Sequence, residues 1–166
     1  RLCRDWSSDV CSSDLPYIDY DIIRNNPKIF IGYSDTTITH LICLKAGVSS
    51  YYGASILAEF AENVKMHKYT IDGIKKGLFS GENIGIIEAS EKWTSQHLPW
   101  ESGNSEALRE MLPNPGYELM QGAGKAEGKL IGGCMEVLEM AKSTGIWPSI
   151  EMFENSILFL ETSEEM

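Results

Sequence analysis

The chain has 166 residues, 43% of them hydrophobic, and 24 Asp and Glu against 14 Lys and Arg give a formal net charge of −10. That acidity argues against a nucleic-acid polymer as partner, since such binding rests on basic side chains neutralising phosphates. No apolar run approaches the roughly 20 residues of a membrane-spanning helix, so no membrane partner is expected and the acidity reads as surface solubility.

Residues 1–15 (RLCRDWSSDVCSSDL) differ in character from the rest of the chain, with Ser-Ser-Asp twice and no usable periodicity. Residues 5–15 can be encoded by codons that spell a common short-read sequencing adapter. Residues 1–15 are therefore expected to be non-native and are set aside as a fusion scar would be. Cys43 and Cys134 then remain. Neither has Cys-x-x-Cys or metal-ligand spacing, so both read as buried thiols in a reducing, cytoplasmic compartment, and no metal or other cofactor is expected.

From Pro16 the pattern is coherent. Residues 16–24 predict a short helix with Tyr17, Ile18 and Ile22 on one face, ended at Asn25-Asn26-Pro27. The apolar run 28–32 predicts a buried strand. Asp35 or Thr36 is placed to cap the next helix, whose apolar face is Ile38, Leu41, Ile42 and Leu44 and whose end is Gly47. Residues 48–52 predict a second strand, and 54–77 two helices broken around 65–69. Strands alternating with helices at this spacing predict a parallel α/β layer over residues 16–87.

Residues 84–87 suggest a strand. The stretch 88–123 reads as a long connecting loop, irregular to Gly116 and holding Trp93 and Trp100, with a short strand suggested at 117–122. Irregular stretches of this length inside a domain are usually functional or linkers, and a mere linker has no use for two large aromatics. Residues 124–133 are glycine-rich without the Lys-Ser/Thr of a phosphate loop, so the glycines point to close packing or turns. A helix is expected over 134–143. Residues 156–160 (SILFL) predict a buried strand that delivers Glu161 at its C-terminal end.

The chemistry centres on Ser34. A strand, Gly32, then a serine at once before a helix has the mechanical logic of a nucleophile elbow, although Thr36 stands where the usual Gly-x-Ser-x-Gly pattern has its second glycine. A serine needs a base, normally a histidine oriented by an acid. His40 lies more than one helical turn beyond Ser34 and should point elsewhere. His67 sits in a polar segment, and His97 lies in the irregular loop, where spacing does not exclude it. Glu161, at a strand end, is the best-placed acid. The competing readings are a serine that only caps its helix and a glutamate that only faces water.

Three segments in this order, PYIDYDIIRNNPKIFIGYSDTT, GKAEGKLIGG before a helix, and SILFLETSEE, resemble the LD-carboxypeptidase family of serine peptidases, peptidase family S66. The Trp-bearing loop and the spacing are more similar to its microcin C immunity branch, whose members cleave peptide-nucleotide toxins. The resemblance implies a Ser-Glu-His triad with Ser34 as nucleophile and Glu161 as acid, and the backbone N–H of Asp35 as one oxyanion donor. It implies that the histidine lies downstream of Glu161 and the second oxyanion donor upstream of Pro16, both beyond this chain, which then reads as a central piece that is inactive by itself.

It also implies stacking of a nucleobase on Trp100, with Trp93 second, against the competing reading of a loop anchor. The implied substrate is a murein tetrapeptide or an aminoacyl-nucleotide conjugate, and a homodimer is possible within the family. Residues 124–166 become the beginning of a β-rich C-terminal domain. Where the family often has Gly-Gly-Asn, this chain has Gly132-Gly133-Cys134, a change that bears on packing more than chemistry. A non-catalytic α/β ligand-binding protein is the alternative.

Overall fold

The computed structural model describes residues 14–99 and 103–162. Among these the chain divides into two units, one made of the residues up to Gly53 and from Lys125 onward, the other of residues 54–124.

In the first unit, a 3-10 turn at Leu15–Tyr17 precedes α1, Tyr20–Asn25. The expected single helix over 16–24 is split because the Asp19 carboxylate accepts from the N–H groups of Asp21 and Ile22, which starts the helix there. Its inward face is correspondingly shifted. Ile18, Tyr20 and Ile23 pack on the core, while Tyr17 and Ile22 are exposed.

The chain then forms β1, Ile31–Gly32, a 3-10 turn at Ser34–Thr36, α2, Thr37–Ala46, and β2, Tyr51–Tyr52. β1 and β2 pair in parallel with Gly32 opposite Tyr52, so this is a strand-helix-strand unit with both strands ending at one edge. Both strands are shorter than the apolar runs suggest. Gly47 closes α2 in the left-handed conformation, φ 75°, as its position predicts. Neither Asp35 nor Thr36 caps α2 through its side chain. Instead the Thr36 hydroxyl donates back to the Tyr33 carbonyl at 2.8 Å.

The second half of this unit is a parallel pair, β5, Lys129–Cys134, and β6, Ser156–Glu161, joined through α4, Met135–Ala141, and α5, Ile150–Phe153. Residues 129–133 of the glycine-rich run are thus part of a strand. Its Gly132 has a backbone that meets the Phe159 carbonyl so closely that a Cβ would overlap it. The glycines serve close packing, and they masked the strand signal.

The core gathers Leu41 and Ile42 of α2, Leu138 and Ala141 of α4, and Ile146. Each large side chain so buried contributes about 1.5–3 kcal/mol relative to exposure. β6 is not buried on both faces as expected, since Leu158 and Leu160 are half exposed among the described residues.

In the second unit, π-type turns at Ile56–Phe60 and Lys75–Phe79 flank α3, Lys68–Ile74. The break in the expected helical pair lies before Lys68. The loop is closed by a two-residue antiparallel ladder, β3, Lys92–Trp93, against β4, Leu112–Pro113. The strands expected at 84–87 and 117–122 do not form. Ile86, Ile87, Tyr117, Leu119 and Met120 are all exposed, so those short apolar runs find no partner strand and no core. Among the described residues no helix is long and apolar enough to cross a membrane.

Candidate functional site

Ser34 is one of three non-glycine residues with positive φ among the described residues, at φ 57°. A side chain in that region is sterically disfavoured by about 1–2 kcal/mol, and such outliers concentrate at functional sites. The cause is local. β1 ends at Gly32, Tyr33 is still extended at φ −148° and ψ −172°, and the 3-10 turn starts at Ser34. Gly32 is required because a Cβ there would lie 2.8 Å from Thr36 Oγ1. Asp35, whose N–H is the expected oxyanion donor, is the middle residue of that turn.

His40 holds this elbow from behind. Its Nε2 lies 3.0 Å from the Gly32 carbonyl, and Nδ1 lies 2.8 Å from Ser50 Oγ. A carbonyl only accepts, so Nε2 carries the proton and Nδ1 accepts from the Ser50 hydroxyl. The Gly53 N–H donates to the same Gly32 oxygen at 3.0 Å. Burial lowers the His40 pKa, while the bond to Gly32 pulls the other way. Both ring nitrogens of His40 are thus hydrogen-bonded to groups other than Ser34. It is the sole histidine among the described residues of this unit.

Glu161 ends β6 opposite Cys134 in the register. The structure brings it to the elbow through one group, the Tyr52 hydroxyl. This hydroxyl donates to Glu161 Oε2, accepts from the Ser34 N–H at 3.0 Å, and lies 3.4 Å from the Thr37 hydroxyl. Thr37 is fully buried, and its Oγ1 accepts from the Cys134 N–H at 3.0 Å. Gly133 permits that approach, since a Cβ there would lie 2.5 Å from Thr37 Oγ1. β1, β2, α2, β5 and β6 therefore converge on Tyr52 and Thr37.

The Tyr52 ring is edge-on to Phe159 at 5.0 Å and tilted against His40 at 5.1 Å. Burial raises its pKa to about 12, with the Glu161 hydrogen bond and charge adding to the rise and the Thr37 and Ser34 bonds opposing it. Sequence reasoning did not single out Tyr52. The signal was present, because the last residue of the parallel strand after an elbow helix must end at the elbow's own sheet edge.

Cys43 and Cys134 are both free and buried. Burial raises the pKa of each thiol, which marks them as packing groups rather than nucleophiles. Among the described residues no three His, Cys, Asp or Glu side chains converge as a metal site.

In the second unit, Trp93 is 46% exposed and its indole N–H donates to the Pro113 carbonyl at 3.2 Å. One edge of the ring thus closes the loop while part of its surface stays open. Trp100 lies outside the described residues. The loop is fastened at Glu62, whose side chain is only 3% exposed. Arg109 grips both Glu62 oxygens, with Nε 3.0 Å from Oε1 and Nη2 bonded to Oε2. His67 Nε2 lies 3.1 Å from Oε2, at ion-pair range but off hydrogen-bond alignment. Burial pushes the Glu62 pKa up, but the Arg109 hydrogen bond and charge, helped by His67, hold it below the ordinary carboxylate range. His97 also belongs to this unit.

Comparison with known proteins gives the chain a family. The model of the LD-carboxypeptidase N-terminal domain matches residues 8–53, and that of the LD-carboxypeptidase C-terminal domain matches residues 127–166. The chain is 34% identical over 163 residues to the microcin C7 self-immunity protein MccF of Escherichia coli, covering 95% of this chain and 45% of that protein. An MccF-like protein from Streptococcus pneumoniae, solved in complex with AMP, superposes with a TM-score of 0.80 at 32% identity, covering 93% of this chain and 50% of that one. MccF in complex with aspartyl sulfamoyl adenosine superposes with a TM-score of 0.73 at 32% identity, covering 90% of this chain and 44% of that one. The chain therefore spans about half the length of the relatives it matches.

Proposed function

The chain belongs to the LD-carboxypeptidase family, peptidase family S66, and on that premise we propose that the intact protein is a serine-type acyl hydrolase acting on an aminoacyl-nucleotide conjugate. The observation that carries the reading is the strained Ser34 elbow joined to Glu161 through one hydroxyl. A helix-capping serine in an ordinary ligand-binding protein has no reason to hold φ 57°, nor to share a hydroxyl bridge with a carboxylate 127 positions away.

Ser34 Oγ attacks the acyl carbonyl, and the C–O bond forms as the carbonyl oxygen becomes an oxyanion facing the Asp35 N–H. A histidine from the part of the protein that this chain does not span takes the serine proton, and Glu161 orients that histidine. Collapse of the intermediate breaks the C–N bond, and the proton passes to the leaving nitrogen. Water, deprotonated by the same histidine, then releases the acid and restores Ser34. Glu161 is suited to its role because Tyr52 occupies Oε2 and leaves Oε1 to accept from the base.

The substrate class is supported by the likeness to structures that hold AMP and an aminoacyl sulfamoyl nucleoside. Trp100, with Trp93 second, is assigned to stacking on the base, an interaction of about 1–3 kcal/mol. A murein tetrapeptide is the second reading, favoured by the LD-carboxypeptidase family models themselves. The two free buried thiols fit a cytoplasmic protein.

Assay of the intact protein on an aminoacyl sulfamoyl adenosine and on a murein tetrapeptide separates these readings. The expected result is turnover of the nucleotide conjugate, abolished by Ser34→Ala and selectively weakened by Trp100→Ala. Equal loss on both substrates with Trp100→Ala rules out stacking. A serine-reactive phosphonate that fails to label the wild-type protein at Ser34 rules out the nucleophile.

A further inference from the structure

We propose that Tyr52 is a positioning residue of the hydrolytic site, its hydroxyl locking the Glu161 carboxylate and the Ser34 elbow into one fixed arrangement. The inference rests on the reading of Ser34 and Glu161 as nucleophile and acid. It adds a residue that the sequence motifs do not single out.

The hydroxyl has one proton and two acceptor lone pairs, and the structure uses all three. The proton goes to Glu161 Oε2, and the lone pairs receive the Ser34 N–H at 3.0 Å and the Thr37 hydroxyl at 3.4 Å. The donor direction toward Glu161 is not interchangeable. The Glu161 carboxylate only accepts and the Ser34 N–H only donates, so the single Tyr52 proton goes to Glu161 and the Thr37 hydroxyl must donate to Tyr52. The phenol's raised pKa, about 12, keeps that proton in place throughout any assay range.

The ring cannot swing away, because Phe159 and His40 lie against it at 5.0 and 5.1 Å. Phe159 is two residues before Glu161 on β6, and His40 binds the carbonyl of Gly32 two residues before Ser34. The same ring is therefore clamped by the elements that carry the two functional side chains. A glutamate at the end of a half-exposed strand otherwise has free χ angles, and fixing one oxygen fixes the direction of the other.

The test is Tyr52→Phe in the intact protein, assayed on an aminoacyl sulfamoyl adenosine alongside Ser34→Ala, Glu161→Gln and the double variant Tyr52→Phe/Glu161→Gln. Removing only the hydroxyl is expected to lower kcat by about 10- to 100-fold, the scale of losing orientation without losing a reacting group. KM should change by less than about threefold, since substrate binding is untouched. In the Glu161→Gln background the same substitution is expected to lower kcat by a clearly smaller factor, because the part of its role that runs through the carboxylate is already lost. A purely structural tyrosine would cost the same in both backgrounds, and that result overturns the inference, as does an unchanged kcat in Tyr52→Phe.

A second readout does not require the Tyr52→Phe protein to fold. With ring-labelled tyrosine, one 13Cζ resonance of the otherwise wild-type protein is expected to move in Glu161→Gln at pH 7. No movement means that the hydroxyl does not meet the carboxylate, and the inference is lost. If Ser34→Ala keeps full activity, the reading of the site itself falls and this inference with it. If Ser34→Ala is inactive and Tyr52→Phe is normal, only the inference falls.

Discussion

Ser34 carries a side chain at φ 57°, a backbone angle that suits glycine. A serine at φ 57° is worse accommodated than glycine there, so its presence points to a side chain retained against stability. Ser34→Gly is therefore expected to be more stable than Ser34→Ala by about 1–2 kcal/mol, because only glycine relieves the left-handed strain. Urea unfolding of the two variants checks this, and equal midpoints would show that the elbow is unstrained. His40 supplies a second residue-scale expectation. Its folded-state pKa lies below the ordinary value of 6.5, so the unfolded chain takes up a proton first as the pH falls. The stabilisation is full above about pH 6.5 and is lost as acidification proceeds from there through the folded pKa. Unfolding free energies at pH 7, 6 and 5 should fall more steeply for the wild type than for His40→Gln, whose amide does not titrate. Parallel slopes would mean that His40 is not held neutral.

At the scale of elements, the glycines decide how the strands and α2 meet. Gly132 has φ 157°, and a Cβ on it would run into the Phe159 carbonyl, a backbone atom of β6 with nowhere to move. Gly132→Ala is expected to cost about 3 kcal/mol or more and to lower kcat as well, because Glu161 rides on the displaced strand. Thermal unfolding followed by circular dichroism, with the kinetic assay, reads both effects, and a variant of wild-type stability would show that β5 and β6 are spaced more widely. These same glycines explain what was legible in the sequence and what was not. α2 and its Gly47 stop were readable because the apolar period and the left-handed cap are local signals. The parallel strands around Ser34 were readable for the same reason. β5 was hidden because its identity comes from fitting against β6 and Thr37, and glycines chosen for closeness carry no apolar alternation. The runs at 84–87 and 117–122 erred in the opposite direction, as apolar residues that look like strands but meet no partner among the described residues. Ser34 and Glu161 could be singled out from strand ends. Tyr52 could be placed at the elbow's sheet edge as the last residue of β2, but its bond to Glu161 required knowing that the two strand pairs converge there.

At the scale of the whole molecule, the site's groups are distributed unevenly over the chain. Ser34, Asp35, Tyr52 and Glu161 belong to the first unit, whose sole described histidine, His40, spends both ring nitrogens on Gly32 and Ser50. Proton transfer from a serine needs an imidazole with a free acceptor nitrogen, and in a triad that loses its base nearly all acceleration beyond binding and oxyanion stabilisation disappears. His67 is paired with Glu62 in the second unit, next to the Arg109 fastening of the loop. The 166-residue chain by itself is therefore expected to show no hydrolysis of an aminoacyl sulfamoyl adenosine above the level of its own Ser34→Ala variant. The intact protein should be active and should lose that activity with Ser34→Ala. Cooperative urea unfolding of the same chain, recorded beside the assay, separates an inactive folded site from an unfolded one. Hydrolysis by the chain alone that disappears with His97→Ala would overturn this account, because the base would then lie within the loop. Hydrolysis that disappears only with His40→Gln would overturn it differently, by showing that the buried imidazole releases Ser50 and turns toward the nucleophile.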